Sequence, residues 1–280
     1  MNIPQRRIRS TNQPQTLHHD AIREGRAAVM PGHWERHDPF LSMMNDHFKP
    51  GAFGPHPHRG FETITYVING DLAHEDSKGG SGILHAGDVQ WMTAGEGVIH
   101  NESPVHDSGV HVLQLWLNLP AEHKLTPFRY QDLRSGSVPR FQTAEGANVK
   151  VFAGEAGGVS GAAQTFSPVT FLEISLPAGA AFSHRLNADD NGFLYVLSGE
   201  GRFGAEQSVG KQDDTLWLEH IAGSASDITI AADSDLKVLL LAGQPLREAV
   251  AAYGPFVMNT REQLAEAFAA YQSGAFGQIT

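Results

Sequence analysis

Thr63-Ile64-Thr65-Tyr66-Val67-Ile68-Asn69-Gly70 is the stretch on which the fold turns. Its first six residues are all β-branched or aromatic, the composition of a strand packed on a pleated surface. Asn69-Gly70 then closes it with a strong hairpin signal. Residues 72–75 return as the partner strand and stop at Asp76-Ser77-Lys78-Gly79-Gly80. Working outward, Gly82-Ile83-Leu84-His85, Val89-Gln90-Trp91-Met92 and residues 110–119 are further short strands, with Ala86-Gly87-Asp88 as one of the turns between them. Short strands with turns every eight to twelve residues or so make an antiparallel sandwich or barrel. The 30 Gly and 15 Pro of the chain supply those turns and disfavour long helices.

The same text returns further on. Tyr66-Val67-x-x-Gly70 recurs as Tyr195-Val196-x-x-Gly199, and Asp88-x-x-Trp91 recurs in the same order as Asp214-x-x-Trp217. One β-domain written twice is the reading. The halves meet in the mixed, Gly-rich residues 127–161, and the boundary is placed to give an N-terminal domain 1–135 and a C-terminal domain 136–280. Near the end, Asn259-Thr260-Arg261-Glu262 has Asn as an N-cap with Glu three residues on. Leu264, Phe268 and Tyr271 follow as one apolar stripe and Gly274 stops the run, which predicts a C-terminal helix docked on one of the barrels.

Composition removes several function classes. Twenty Lys and Arg against 31 Asp and Glu leave a net charge of −11, so direct binding to nucleic acid is not expected. The absence of cysteine excludes disulfides, thiolate metal sites and cysteine nucleophiles. No apolar run reaches the ~18 residues of a membrane span, and the basic residues 1–9 lack the apolar stretch of a signal peptide, so a cytoplasmic location without membrane attachment is expected, as a monomer.

Fifteen histidines point to metal chemistry only where their spacing does. In Pro55-His56-Pro57-His58-Arg59-Gly60 two imidazoles stand at i and i+2, on one face of a strand. Pro57 lacks an N–H, which suits an edge strand. His100-Asn101-Glu102 repeats the i, i+2 spacing. If these segments are neighbouring strands, His56, His58, His100 and Glu102 converge. Three nitrogens and one oxygen suit Fe(II), Mn, Ni, Cu or Zn and leave positions open for water, O₂ or a substrate oxygen. Alone, either pair is more often a solvated turn. Their joint occurrence across a strand–turn–strand stretch favours the metal.

Residues 54–66 (Gly-Pro-His-Pro-His-Arg-Gly-Phe-Glu-Thr-Ile-Thr-Tyr) and 88–102 (Asp-Val-Gln-Trp-Met-Thr-Ala-Gly-Glu-Gly-Val-Ile-His-Asn-Glu) resemble the two signatures of the pirin family. Residues 114–120 and 253–260 also look like family text. The resemblance implies an all-β bicupin: two antiparallel cupin (jelly-roll) β-barrels, the first holding one divalent metal per chain, usually iron as Fe(II). Its implied ligands are His56, His58, His100 and Glu102. Asn101 stands where the family is expected to have Ser and faces away from the ligands. The wider cupin pattern puts a glutamate at the position of Thr63; Glu62, one out of register, is expected outside the ligand set as a supporting or surface carboxylate.

Moving the ligands by the repeat offsets lands on Arg185, Asn187, Ser226 and Ile228, so the second barrel is expected to be metal-free, with His184 alone beside the site. His74-x-Asp76 is a rival pair whose Asp is expected to bond the following turn instead. Gln114, an amide among apolar neighbours, is a candidate lining residue of the metal pocket. The resemblance implies a quercetin 2,3-dioxygenase activity on a small aromatic, flavonol-like substrate and O₂, with Glu102 as both ligand and catalytic base. The alternative is an iron-dependent, redox-sensing regulator that binds a protein partner, a transcription factor or metabolic enzyme. A metal-bound cupin with neither activity is the blander third reading.

Overall fold

The structure, a computed structural model, describes residues 3–279. Strands dominate it, with two α-helices among the described residues, Trp34–His37 and Arg261–Gln272. Contacts divide the chain into two compact units, Gln15–Gly136 with Leu246–Thr280, and Met1–Pro14 with Ser137–Pro245. The expected domains 1–135 and 136–280 are therefore crossed by both chain ends. The reason is local pairing that short terminal segments do not advertise. Strand Ile8–Asn12 pairs antiparallel with Thr215–Leu218, Asn12 opposite Thr215. Ahead of it, Arg6 of the basic N-terminal stretch is fully buried, donating to Ser226 Oγ at 2.5 Å and to the carbonyls of Glu219 and Asp190 at 2.8 and 2.9 Å. At the other end, the C-terminal helix packs Leu264 and Ala267 into a cluster with Phe256, Met258 and Phe276.

Each unit is a jelly-roll sandwich of one seven-stranded and one four-stranded antiparallel sheet. In the 137–245 unit both sheets feed one core, Leu172, Leu194 and Leu240 from the larger meeting Phe203, Ile228 and Ile230 from the smaller. In the 15–136 unit, Val67 and Val112 of the larger sheet meet Leu72 and Leu84 of the smaller. The cupin architecture is thus present twice, with the two sheets packed face to face and, among the described residues, no continuous ladder closing them.

The duplication extends to individual hydrogen bonds. Val67 N–H donates to Asp88 O and Gly87 N–H to Val67 O (3.1 and 2.7 Å); Val196 N–H donates to Asp214 O and Asp213 N–H to Val196 O (3.0 and 2.9 Å). Trp91 stands opposite Ile64, and Trp217 opposite Phe193. Gly70 and Gly199 end the two hairpins at φ 86° and 83°, a backbone that glycine adopts without strain.

Helix Arg261–Gln272 starts one residue later than the sequence pattern suggests. Thr260 is the N-cap: its Oγ1 accepts from Gln263 N–H while Gln263 Oε1 accepts from Thr260 N–H. Glutamine completes a capping box as well as glutamate, so the neighbouring Asn–Glu pair misled by one position. On the stripe, Leu264 is buried whereas Tyr271 is 38% exposed. Among the described residues no helix is long and apolar enough to cross a membrane.

Candidate metal centre

Strand Val98–Pro104 alternates buried and half-buried residues without a break, turning His100 and Glu102 inward and Ile99, Asn101 and Ser103 outward. Strand His56–His58 lies along one side of it at the sheet edge, with His56 opposite His100 and His58 opposite Val98. Strand Leu72–Asp76 lies along the other side, with Asp76 opposite His100 and His74 opposite Glu102. Residue parity and register therefore point six donors into one interior.

They gather as two triads. Ligand atoms of His56, His58 and His100 lie within 4.8 Å of one another, and so do those of His74, His100 and Glu102. Metal–nitrogen and metal–oxygen bonds of ~2.0–2.2 Å place two donors of one ion up to about 4.4 Å apart, so small side-chain adjustments let either triad hold a cation. Glu102, the fourth expected ligand, meets that distance together with His74 and His100. His74, passed over in favour of the longer motifs, carries its own signal in its i, i+2 spacing to Asp76.

The interior has the electrostatics of a metal site. His58 Nε2, both ring nitrogens of His100 and both of His74 are buried with no hydrogen-bond partner. Nitrogens left bare in a dry interior need an explanation, and a coordinated ion is one. Burial, with His56 as a second cause, lowers the His58 pKa to about 3; burial and the neighbouring imidazoles lower that of His100 also. Both are thus neutral, the protonation state in which imidazole ligates. His56 Nδ1 lies 2.8 Å from Gly54 O and His58 Nδ1 3.4 Å from Pro255 O; a carbonyl only accepts, so each Nδ1 carries a proton, and in neutral His58 the lone pair is on Nε2.

The carboxylate is held separately. Glu102 Oε2 accepts from Gln114 Nε2 at 2.8 Å and Oε1 from Thr65 Oγ1 at 3.2 Å. Gln114 Oε1 in turn accepts from Trp116 Nε1 at 3.3 Å, which fixes the orientation of the amide. Gln114 thus faces the pocket as expected, and its role there is specific: it carries a contact from Trp116 to Glu102.

His56 and His58 line a cavity of about 490 Å³, walled by Trp34, Leu41, Phe53 and Trp116. The Arg23 guanidinium lies 4.3 Å over the Phe53 ring and pairs with Asp46 at 2.9 Å, giving this apolar cavity one charged flank. The hairpin of Ala251–Tyr253 and Phe256–Met258 contributes Tyr253 and Val257 to the wall. Buried Lys124 fastens it, its Nζ donating to Gly60 O (2.8 Å), Asn118 Oδ1 (2.5 Å) and Val257 O (3.1 Å). The motif at residues 253–260 was legible as family text, but its place beside the histidines was not.

Glu62 is outside both triads, as expected, yet neither on the surface nor beside the ligands. It is 1% exposed on the opposite face of its strand, accepting from Thr93 Oγ1 at 2.6 Å, and burial raises its pKa to about 7. Asn101 faces outward to Glu75. Asp76 Oδ1 does bond the turn, accepting from Lys78 and Gly80 N–H at 2.7 and 3.1 Å, but Oδ2 is buried and unpartnered.

In the second sandwich, counting from the matched hairpin glycines, Gly201 opposite Ala232 corresponds to Leu72 opposite Pro104. Stepping back along the ladder puts His184, Leu186, Ile228 and Ile230 at the positions of His56, His58, His100 and Glu102, and Phe203 at that of His74. The positions expected from the sequence offsets were displaced because the connection from Trp217 to Ser226 spans nine steps where that from Trp91 to Val98 spans seven. Three of the four corresponding residues are apolar and fully packed, and His184 borders a separate cleft of about 730 Å³.

Comparison with known proteins agrees with this architecture. Residues 16–117 match the Pirin family model and residues 171–277 the model of the Pirin C-terminal cupin domain. A pirin-like protein of Solanum lycopersicum is 38% identical over 247 residues, covering 86% of this chain and 82% of that one. The crystal structure of a quercetin 2,3-dioxygenase from Acinetobacter baumannii is 31% identical, with a TM-score of 0.85 over 98% of this chain and 99% of its own. A bacterial pirin from Escherichia coli, solved in complex with nickel(II), shares the fold at a TM-score of 0.67 and 22% identity, covering 87% of this chain and all of its own.

Proposed function

The chain belongs to the pirin family, and on that premise we propose that its first sandwich is a mononuclear, metal-dependent dioxygenase that opens a flavonol such as quercetin. The observation that carries the reading is the His56–His58–His100 triad, two of whose members line an aromatic-walled cavity large enough for a planar polyphenol. The similarity to a quercetin 2,3-dioxygenase over nearly the whole chain supports it.

In this reading the three imidazoles hold one Fe(II); Mn, Ni, Cu and Zn share the same donor preferences. The ion supplies Lewis acidity at a substrate oxygen and an electron path to O₂. The chain's own residues do the rest. Trp34, Phe53 and Trp116 take the flat faces of the substrate and exclude water. Glu102, also a metal ligand in this reading, accepts the proton of the flavonol hydroxyl, and the bonds from Gln114 and Thr65 keep its oxygens oriented until it does. The second sandwich, with Leu186, Ile228 and Ile230 where ligands would stand, is the metal-free partner. The protein works as a cytoplasmic monomer.

The test is anaerobic reconstitution with Fe(II), then addition of quercetin and O₂ while flavonol absorbance and carbon monoxide are followed. Turnover that disappears in Glu102→Gln while the metal is retained is the expected result. No turnover with any of the five metals overturns the enzyme reading, and metal-dependent capture of a protein partner in its place would establish the regulator.

A further inference from the structure

The proposed centre leaves one buried pair, His74 and Asp76, without a role. We propose that His74, with Asp76 beside it, joins His100 and Glu102 in a second seat for a divalent transition metal, an inner alternative to the seat at the cavity that shares His100 and Glu102 with it and replaces His56 and His58 by His74. The inference rests on reading this interior as a metal centre, but it gives His74 and Asp76 a role that reading does not use.

Three observations carry it. The ligand atoms of His74, His100 and Glu102 lie within 4.8 Å of one another, and all three residues are buried. The side chains of His74 and Asp76 are wholly inaccessible, yet both ring nitrogens of His74 and Oδ2 of Asp76 have no hydrogen-bond partner. Their closest approach, Nε2 to Oδ2 at 3.7 Å, is too long for a hydrogen bond. A cation engages such lone pairs without requiring a donor. Lys78 and Gly80 N–H hold one Asp76 oxygen and the other faces the His74 ring, so a small side-chain adjustment gives the hydrogen bond that a carboxylate accepts from a metal-bound histidine and leaves the second ring nitrogen to ligate. Finally, register puts His74 directly across from Glu102 and Asp76 across from His100, so the cluster is built into the ladder and does not depend on a loop.

Two imidazoles and a carboxylate suit Fe(II), Co, Ni, Zn or Mn and fit calcium poorly. The two seats differ in access. His56 and His58 line the 490 Å³ cavity, whereas His74, His100 and Glu102 do not. Because both seats draw on His100 and Glu102, the chain holds one ion at a time. In the second sandwich Phe203, fully buried, fills the position of His74.

Co(II) titration of the full chain tests this, with the visible d–d spectrum recorded and a chromophoric chelator as competitor. Wild type takes up one Co(II). The His56→Ala/His58→Ala variant still takes up one, weakened no more than about 100-fold, with a d–d spectrum unlike that of wild type. Adding His74→Phe, the residue that packs in the other sandwich, weakens it by at least another ~100-fold; His74→Phe alone leaves a wild-type spectrum. Thermal unfolding confirms each variant is folded, with His74→Gln replacing His74→Phe if it is not. If the double variant holds Co(II) no better than the triple, or wild type holds two ions, the inner seat is refuted while the metal centre stands. If wild type holds none, both fall.

Discussion

Glu62→Gln stabilises the protein in a way that grows with pH. The side chain is 1% exposed and its pKa is raised from 4.5 to about 7 by burial, with the Thr93 hydroxyl offsetting part of the cost. Between those values the folded state binds the proton and the unfolded state does not. Stability therefore falls as pH rises from below 4.5 through 7, because ionisation puts a charge into a dry interior. At ~1.4 kcal/mol per pH unit, the whole displacement is worth about 3 kcal/mol. Glutamine keeps the shape of the protonated acid and cannot ionise. It should be near neutral in effect at pH 4.5 and stabilising by about 3 kcal/mol at pH 8, a midpoint difference of roughly 1 M urea. Urea unfolding of both proteins at half-unit intervals from pH 4.5 to 8 measures this. A difference between variant and wild type that stays flat across the range, or falls with pH, refutes the reasoning.

Two further substitutions probe the support of the metal centre. Lys124→Met removes a buried ammonium that serves three oxygens and leaves Gly60 O, Asn118 Oδ1 and Val257 O bare; the expected loss is about 2–4 kcal/mol, a Tm lower by roughly 10 °C, read by thermal denaturation. Gly60→Ala puts a Cβ 2.0 Å from Val257 O at a φ of +85°, and should cost more than about 2 kcal/mol and loosen Co(II) binding by displacing His58, both measurable on the same sample.

The centre was legible where it depended on side-chain parity. Both i, i+2 pairs face inward because a strand allows nothing else, and the hairpin at Asn69-Gly70 puts the returning strand Leu72–Asp76 against Val98–Pro104. What parity cannot convey is how far apart inward residues on three strands end up. Glu102 reads as a companion of His56 and His58, but spacing does not reveal that His74 faces it across the ladder or that Gln114 and Thr65 hold its oxygens. The second sandwich shows the same limit: matched motifs identified the repeat, but loops of unequal length moved the ligand positions by one or two residues. The crossed chain ends were hidden for another reason. Ile8–Asn12 is a five-residue strand with only ordinary propensity, and nothing in five residues names the edge it will join.

The hairpin that walls the cavity has a consequence for how the protein is made. The carbonyl that orients His58 belongs to Pro255, 197 residues downstream. At a synthesis rate of about 5–20 residues per second, the ribosome delivers that partner some 10–40 s after the histidine has emerged. During that interval His58 lacks its carbonyl partner and the cavity lacks the wall of Tyr253 and Val257, both of which arrive with the hairpin Ala251–Met258.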